Sequence, residues 1–116
     1  MPRQDPIDSL EAFALDLPGA FRDTPWDASA VAKVGKKIFV FFATGDDASI
    51  SVKLPDSGDH ALSVDGARPT SYGLGRHGWV TVPVATAPPD LLQDWIEESY
   101  RTIAAKKLVA ELDARP

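Results

Sequence analysis

Few side chains in this sequence could carry reaction chemistry. There are two histidines and no cysteine, which excludes a thiolate nucleophile, a disulfide and a soft-ligand metal cluster. Serines are present, but no Gly-x-Ser-x-Gly elbow accompanies them. His60 and His77 sit on a helical turn and in a glycine-rich loop, so both read as solvated, structural side chains rather than general bases. The pairs Asp46-Asp47 and Asp56 with Asp59 have neither calcium-loop nor His-x-x-x-His spacing and read as turn and cap residues. Gly73-Leu74-Gly75-Arg76-His77-Gly78 matches Gly-x-Gly-x-x-Gly, yet Trp79-Val80-Thr81-Val82 follows it with strand alternation. A pyrophosphate site needs a helix N-terminus there, so this stretch reads as a hairpin tip displaying Arg76 and His77. The sequence implies no enzyme, no metal site and no cofactor.

Binding chemistry has better candidates. Lys36 and Lys37 fall on one hairpin turn, Arg76 and His77 on another, and Lys53 at a strand end. Long cations at such positions suit phosphate contacts, although plain solvation accounts for them too. Trp26, Tyr72 and Trp79 are candidates for an aromatic ligand groove, whereas Trp95 and Tyr100 recur at helical spacing and read as core or core-edge packing. The formal net charge is −5, distributed as −4 over residues 1–29, +1 over 30–80 and −2 over 81–116. The broad basic field of a general nucleic-acid binder is absent. A polyanion would have to meet a local patch.

These residues need a scaffold, and the composition supports one. With 116 residues, 44% hydrophobic and 25% charged, the chain suits one soluble globular domain over 1–116. The longest apolar run, Ile38 to Ala43, is far short of the ~18 residues a membrane span requires. Asp5, Asp8, Glu11 and Asp16 interrupt any leader-like apolar segment. Together with the lack of cysteine, this leads us to expect a cytoplasmic protein with no membrane partner.

Periodicity predicts a helix over about Pro6 to Leu17, with Asp5 as N-cap and Pro6 at the first helical position. Thr24-Pro25-Trp26-Asp27 reads as a turn. A three-strand antiparallel meander is expected between Ala30 and Leu54, turning at Gly35-Lys36 and Gly45-Asp46-Asp47. A short helix over Pro55 to Val64 should face Ala61, Leu62 and Val64 inward. Strands are expected at Thr70 to Leu74 and Gly78 to Val84, then one long helix from Pro88-Pro89-Asp90 to about Leu112. The expected class is α+β: a two-layer α-β(3)-α-β(2)-α domain whose five-stranded, largely antiparallel sheet is packed by helices.

Several stretches, taken in order, resemble a known family. They are Leu17-Pro18-Gly19-Ala20 with Thr24-Pro25-Trp26, Val34-Gly35-Lys36-Lys37-Ile38-Phe39, Ser51-Val52-Lys53-Leu54-Pro55, Tyr72-Gly73-Leu74 with Gly78-Trp79-Val80, and Glu98-Ser99-Tyr100-Arg101. From about Leu10 to Leu108 the chain is similar to the MmcQ/YjbR-like family. That resemblance implies a small, usually bacterial protein with a secretion-chaperone-like fold and a double-wing DNA-binding role. The matching expectation is weak, salt-sensitive DNA contact through Lys36, Lys37, Lys53, Arg76 and His77. The alternative is an adaptor for an unidentified protein or small ligand, bound on a sheet face or in a groove beside Trp26, Tyr72 and Trp79.

Overall fold

A computed structural model describes residues 6–24, 30–45, 47–71 and 73–115. The elements run α1 (Pro6–Leu15), β1 (Ala20–Asp23), β2 (Val31–Val34), β3 (Lys37–Ala43), β4 (Ser49–Lys53), α2 (Gly58–Leu62), β5 (Arg68–Pro69), a 3-10 turn (Leu74–His77), β6 (Trp79–Pro83), α3 (Pro89–Ile103) and α4 (Lys106–Asp113). The strands form one antiparallel sheet in the order β1-β2-β3-β4-β6-β5. It has six strands, not five. The additional strand, β1, is half exposed and carries Arg22 and Asp23, so no apolar alternation marks it. Tertiary contacts hold it: Arg22 reaches Glu11 of α1, and Lys33 of β2 lies 3.2 Å from Asp23.

One face of the sheet makes the core. Ala32, Val34, Val40, Phe42, Ile50, Val52, Val80 and Val82 pack there with Leu10 and Ala14 of α1, Ala61 of α2 and Leu92, Trp95 and Ile96 of α3. Register shifts between Ala32 and Lys33, leaving Phe39 as an extra residue on β3. Phe39 and Val40 consequently both enter the core. The opposite face, carrying Phe41, Ser51, Lys53, Trp79 and Thr81, contributes nothing to that core cluster. We call it the bare face, although Val31, Trp79 and Thr81 on it are buried.

Other features differ from expectation. The segment Thr70 to Leu74 is not a strand, because the β6 ladder ends with Thr70 N donating to Trp79 O at 3.1 Å and Gly75 N then donates to Thr70 O at 3.0 Å. The long C-terminal helix breaks at Ala104 and Ala105, both extended (ψ 151° and 148°), despite the helix preference of alanine. Packing overrides propensity here: Arg101 reaches forward to Asp113 at 2.8 Å, and Leu108, Val109 and Leu112 are drawn onto the core. Leu62 is exposed rather than inward, while Ala61 is fully buried. The expected cap Asp5, the turn residues Pro25 to Asp27, and Asp46 lie outside the described residues.

The stretch Glu98-Ser99-Tyr100-Arg101 accounts for much of the assembly. Glu98 accepts bonds from the backbone N–H of Asp56 and Ser57 and from the Ser57 hydroxyl, at 3.1, 3.0 and 2.6 Å. Ser99 accepts from Lys53 N at 2.9 Å and donates to Phe39 O at 2.5 Å. Tyr100 donates to Pro18 O at 2.7 Å and meets Phe39 edge-on. Burial first, and the Glu111 carboxylate second, push the Tyr100 phenol above its ordinary range. Arg101 ties α3 to α4.

Candidate functional site

The bare face is built as transverse rows. In an antiparallel sheet, residues directly opposite one another share a face. One row runs Val31, Phe41, Ser51, Thr81, Arg68 across five strands. The adjoining row places Lys53 opposite Trp79, and the Trp79 ring meets Phe41 edge-on at 5.4 Å. A groove of about 790 Å³ opens over the first row, lined by Phe41, Ser51, Thr81, Thr70, Leu74 and Arg68 among others. That volume falls within the usual range for small-molecule sites.

Along the groove runs a row of hydroxyls. Ser51 Oγ and Thr81 Oγ1 are 2.8 Å apart, and Thr81 Oγ1 and Thr70 Oγ1 are 3.0 Å apart. The apolar surface comes from Phe41 on one side and Leu74 of the 3-10 turn on the other. Glycine geometry sets that turn. Gly73 and Gly78 bound it at φ of 80° and 88°, and a Cβ on Gly75 would stand 2.7 Å from the Pro69 Cβ. The glycines of the Gly-x-Gly-x-x-Gly match thus shape a turn onto a strand, with no helix N-terminus for a phosphate.

The basic candidates meet only in part. Val34 pairs with Lys37 and Lys53 with Trp79, so Lys36, Lys37, Lys53, Arg76 and His77 all gather at one end of the sheet. They do not share a face: Lys37 lies opposite core-facing Val34, and Lys53 lies opposite Trp79 on the bare face. Exposed Asp56 and Asp59 follow Lys53 at the same end. Of the aromatic candidates, Trp79 is largely buried and braces Phe41; it also lines a smaller cavity of about 230 Å³ with Leu54, Pro55 and Leu62. Trp26 and Tyr72 lie outside the described residues. The groove residues Phe41, Ser51, Arg68, Thr70, Leu74 and Thr81 were not sequence candidates. Alternation marks the outward side of Ser51 and Thr81, but only the β4–β6 register brings them together.

Charge is segregated by layer. Asp8 and Glu11 lie on α1, and Asp90, Asp94, Glu97 and Glu98 on α3 against one cation, Arg101, while on α4 Lys106 and Lys107 balance Glu111 and Asp113. Among the described strand residues, the bare-face rows carry Lys33, Lys53 and Arg68 against one carboxylate, Asp23, which Lys33 already engages. An acidic helical layer therefore backs a sheet face of opposite sign. Among the described residues no three or more His, Asp or Glu cluster to hold a metal, and no helix is long and apolar enough to cross a membrane.

A helix-backed antiparallel sheet with a groove on its other face defines an α+β protein. The chain belongs to the YjbR family, whose model matches residues 15–102, from the last turn of α1 through nearly all of α3. No curated protein matches it.

Proposed function

We propose that this protein is a non-enzymatic binding module that takes its ligand in the groove on the bare face of the sheet. The observation that carries this reading is the lining: an aromatic wall at Phe41, a hydroxyl row and an exposed cation at Arg68, all around one 790 Å³ concavity. Such a mixture of apolar wall and a few convergent polar groups is what small-ligand sites use. A fragment screen read by amide chemical shifts tests it. Hits are expected to perturb residues 41, 51, 68, 74 and 81, and Ser51→Trp, which fills the groove, should abolish them. Hits that cluster on the helical side, or that survive the filled groove, would sink the reading.

DNA binding is the second reading, supported by the gathering of Lys36, Lys37 and Arg76 at one end of the sheet. Three phosphate contacts would give a slope near −3 in log affinity against log salt, at about −0.9 per contact. Against the acidic helical layer such binding should vanish by physiological salt. Fluorescence anisotropy with a duplex oligonucleotide at low salt, repeated with a Lys36→Glu/Lys37→Glu variant, decides it. Salt-insensitive binding, or binding that survives the charge reversal, rules this patch out.

A further inference from the structure

We infer that the bare-face groove selects a small carboxylic acid with a flat apolar body, its carboxylate placed between Arg68 and the hydroxyl row. This rests on the groove reading above and adds the chemical class of the ligand.

Charge comes first. None of the described residues lining the groove is acidic, and its charged member is Arg68. Arg68 is exposed and enters no ion pair or side-chain hydrogen bond among the described residues. In a chain of net charge −5, a cation that no carboxylate engages, at the edge of a concavity, favours an anionic occupant. A guanidinium is matched in shape to a carboxylate, which it holds through two parallel N–H donors.

The hydroxyls point the same way. Ser51, Thr81 and Thr70 together carry three O–H protons. Their two mutual contacts engage two of these, leaving one proton at the row for an outside acceptor. A carboxylate oxygen accepts it; an ammonium group would be repelled by Arg68. The body of the ligand is set by the other end of the row. Phe41, edge-on to Trp79 at 5.4 Å, lines the groove at that end, and Leu74 closes the side. Phe41 and Arg68 are three strands apart in the row, about 14 Å between strand axes, and both side chains can lean inward. A one- or two-ring aryl carboxylate spans that distance.

The test uses the full chain and 2-naphthoate as probe, with the neutral 2-naphthamide as its uncharged counterpart, titrated against amide chemical shifts. Naphthoate is expected to shift residues 41, 51, 68, 70, 74 and 81 saturably, and to bind about tenfold more tightly than the amide. Arg68→Gln, a change at an exposed side chain, should erase that preference. Equal binding of both probes to the wild type, or an undiminished preference for naphthoate in Arg68→Gln, overturns the choice of a carboxylate and leaves the groove reading intact. If neither probe shifts the groove residues, the groove reading falls with it.

Discussion

Ser99→Ala is the substitution with the sharpest structural expectation. Phe42 N donates to Ala30 O at 3.0 Å, so even-numbered residues of β3 bond toward β2 and odd-numbered ones toward β4. The next odd position is Phe39, and its natural ladder partner is Lys53. The bulge ends the β3–β4 register at Val40 and Val52, and the Ser99 hydroxyl stands in the gap, linking Lys53 N to Phe39 O. Alanine would leave two backbone groups without partners, one fully buried and one partly. Each such group costs about 1–3 kcal/mol, and the less buried N–H lies at the lower end, so we expect a loss of about 2–4 kcal/mol. For a domain of this size that lowers the melting temperature by roughly 8–15 °C. Thermal and urea unfolding followed by circular dichroism measure it, with Ser9→Ala at an exposed helical position as control, expected within about 0.5 kcal/mol of wild type. A Ser99→Ala melt within about 2 °C of wild type would show that the gap closes without the hydroxyl.

Two further substitutions probe the same helix. Tyr100→Phe should lose about 1–2 kcal/mol with the bond to Pro18. Because the folded state holds the phenolic proton above its ordinary value of 10.0, that stability is complete below the unfolded value and is lost as pH rises from there through the folded one; urea titrations on either side of pH 10 should show a tyrosine-linked decline that the variant lacks, and identical declines would refute the assignment. Trp95, 2% exposed and edge-on to His60 at 5.5 Å, should cost about 3–5 kcal/mol on truncation to alanine, and a melt near wild type would place it outside the core.

What the sequence disclosed follows the reach of each interaction. The meander β2–β3–β4 was legible because Ile50, Val52 and Leu54 alternate with Ser49, Ser51 and Lys53, and Gly35-Lys36 marks its first turn. Elements held by distant contacts were not. β1 depends on Glu11 and Lys33, and the break at Ala104 depends on Asp113 and on core packing of α4. The Glu98 to Arg101 stretch stood out in the sequence, yet its side chains carry structure rather than a site. The groove was hidden for a related reason. Ser51, Thr70 and Thr81 are ordinary strand and loop residues until register aligns them.

The bonds made by α3 also bear on when the protein can become itself. The links from Glu98, Ser99 and Tyr100 to the rest of the chain cross 41 to 82 positions of sequence. A growing polypeptide that has completed β2, β3 and β4 already has its hairpins, but only α1 is there to cover part of their apolar side. The opening at the Phe39 bulge stays unbridged until Ser99 has been added, and Pro18 waits for Tyr100. Synthesis thus passes through a stage in which a nearly complete sheet exposes Val40, Val52 and Val80 to whatever is near. Closure comes in a single late step, when α3 arrives and caps, bridges and covers at once.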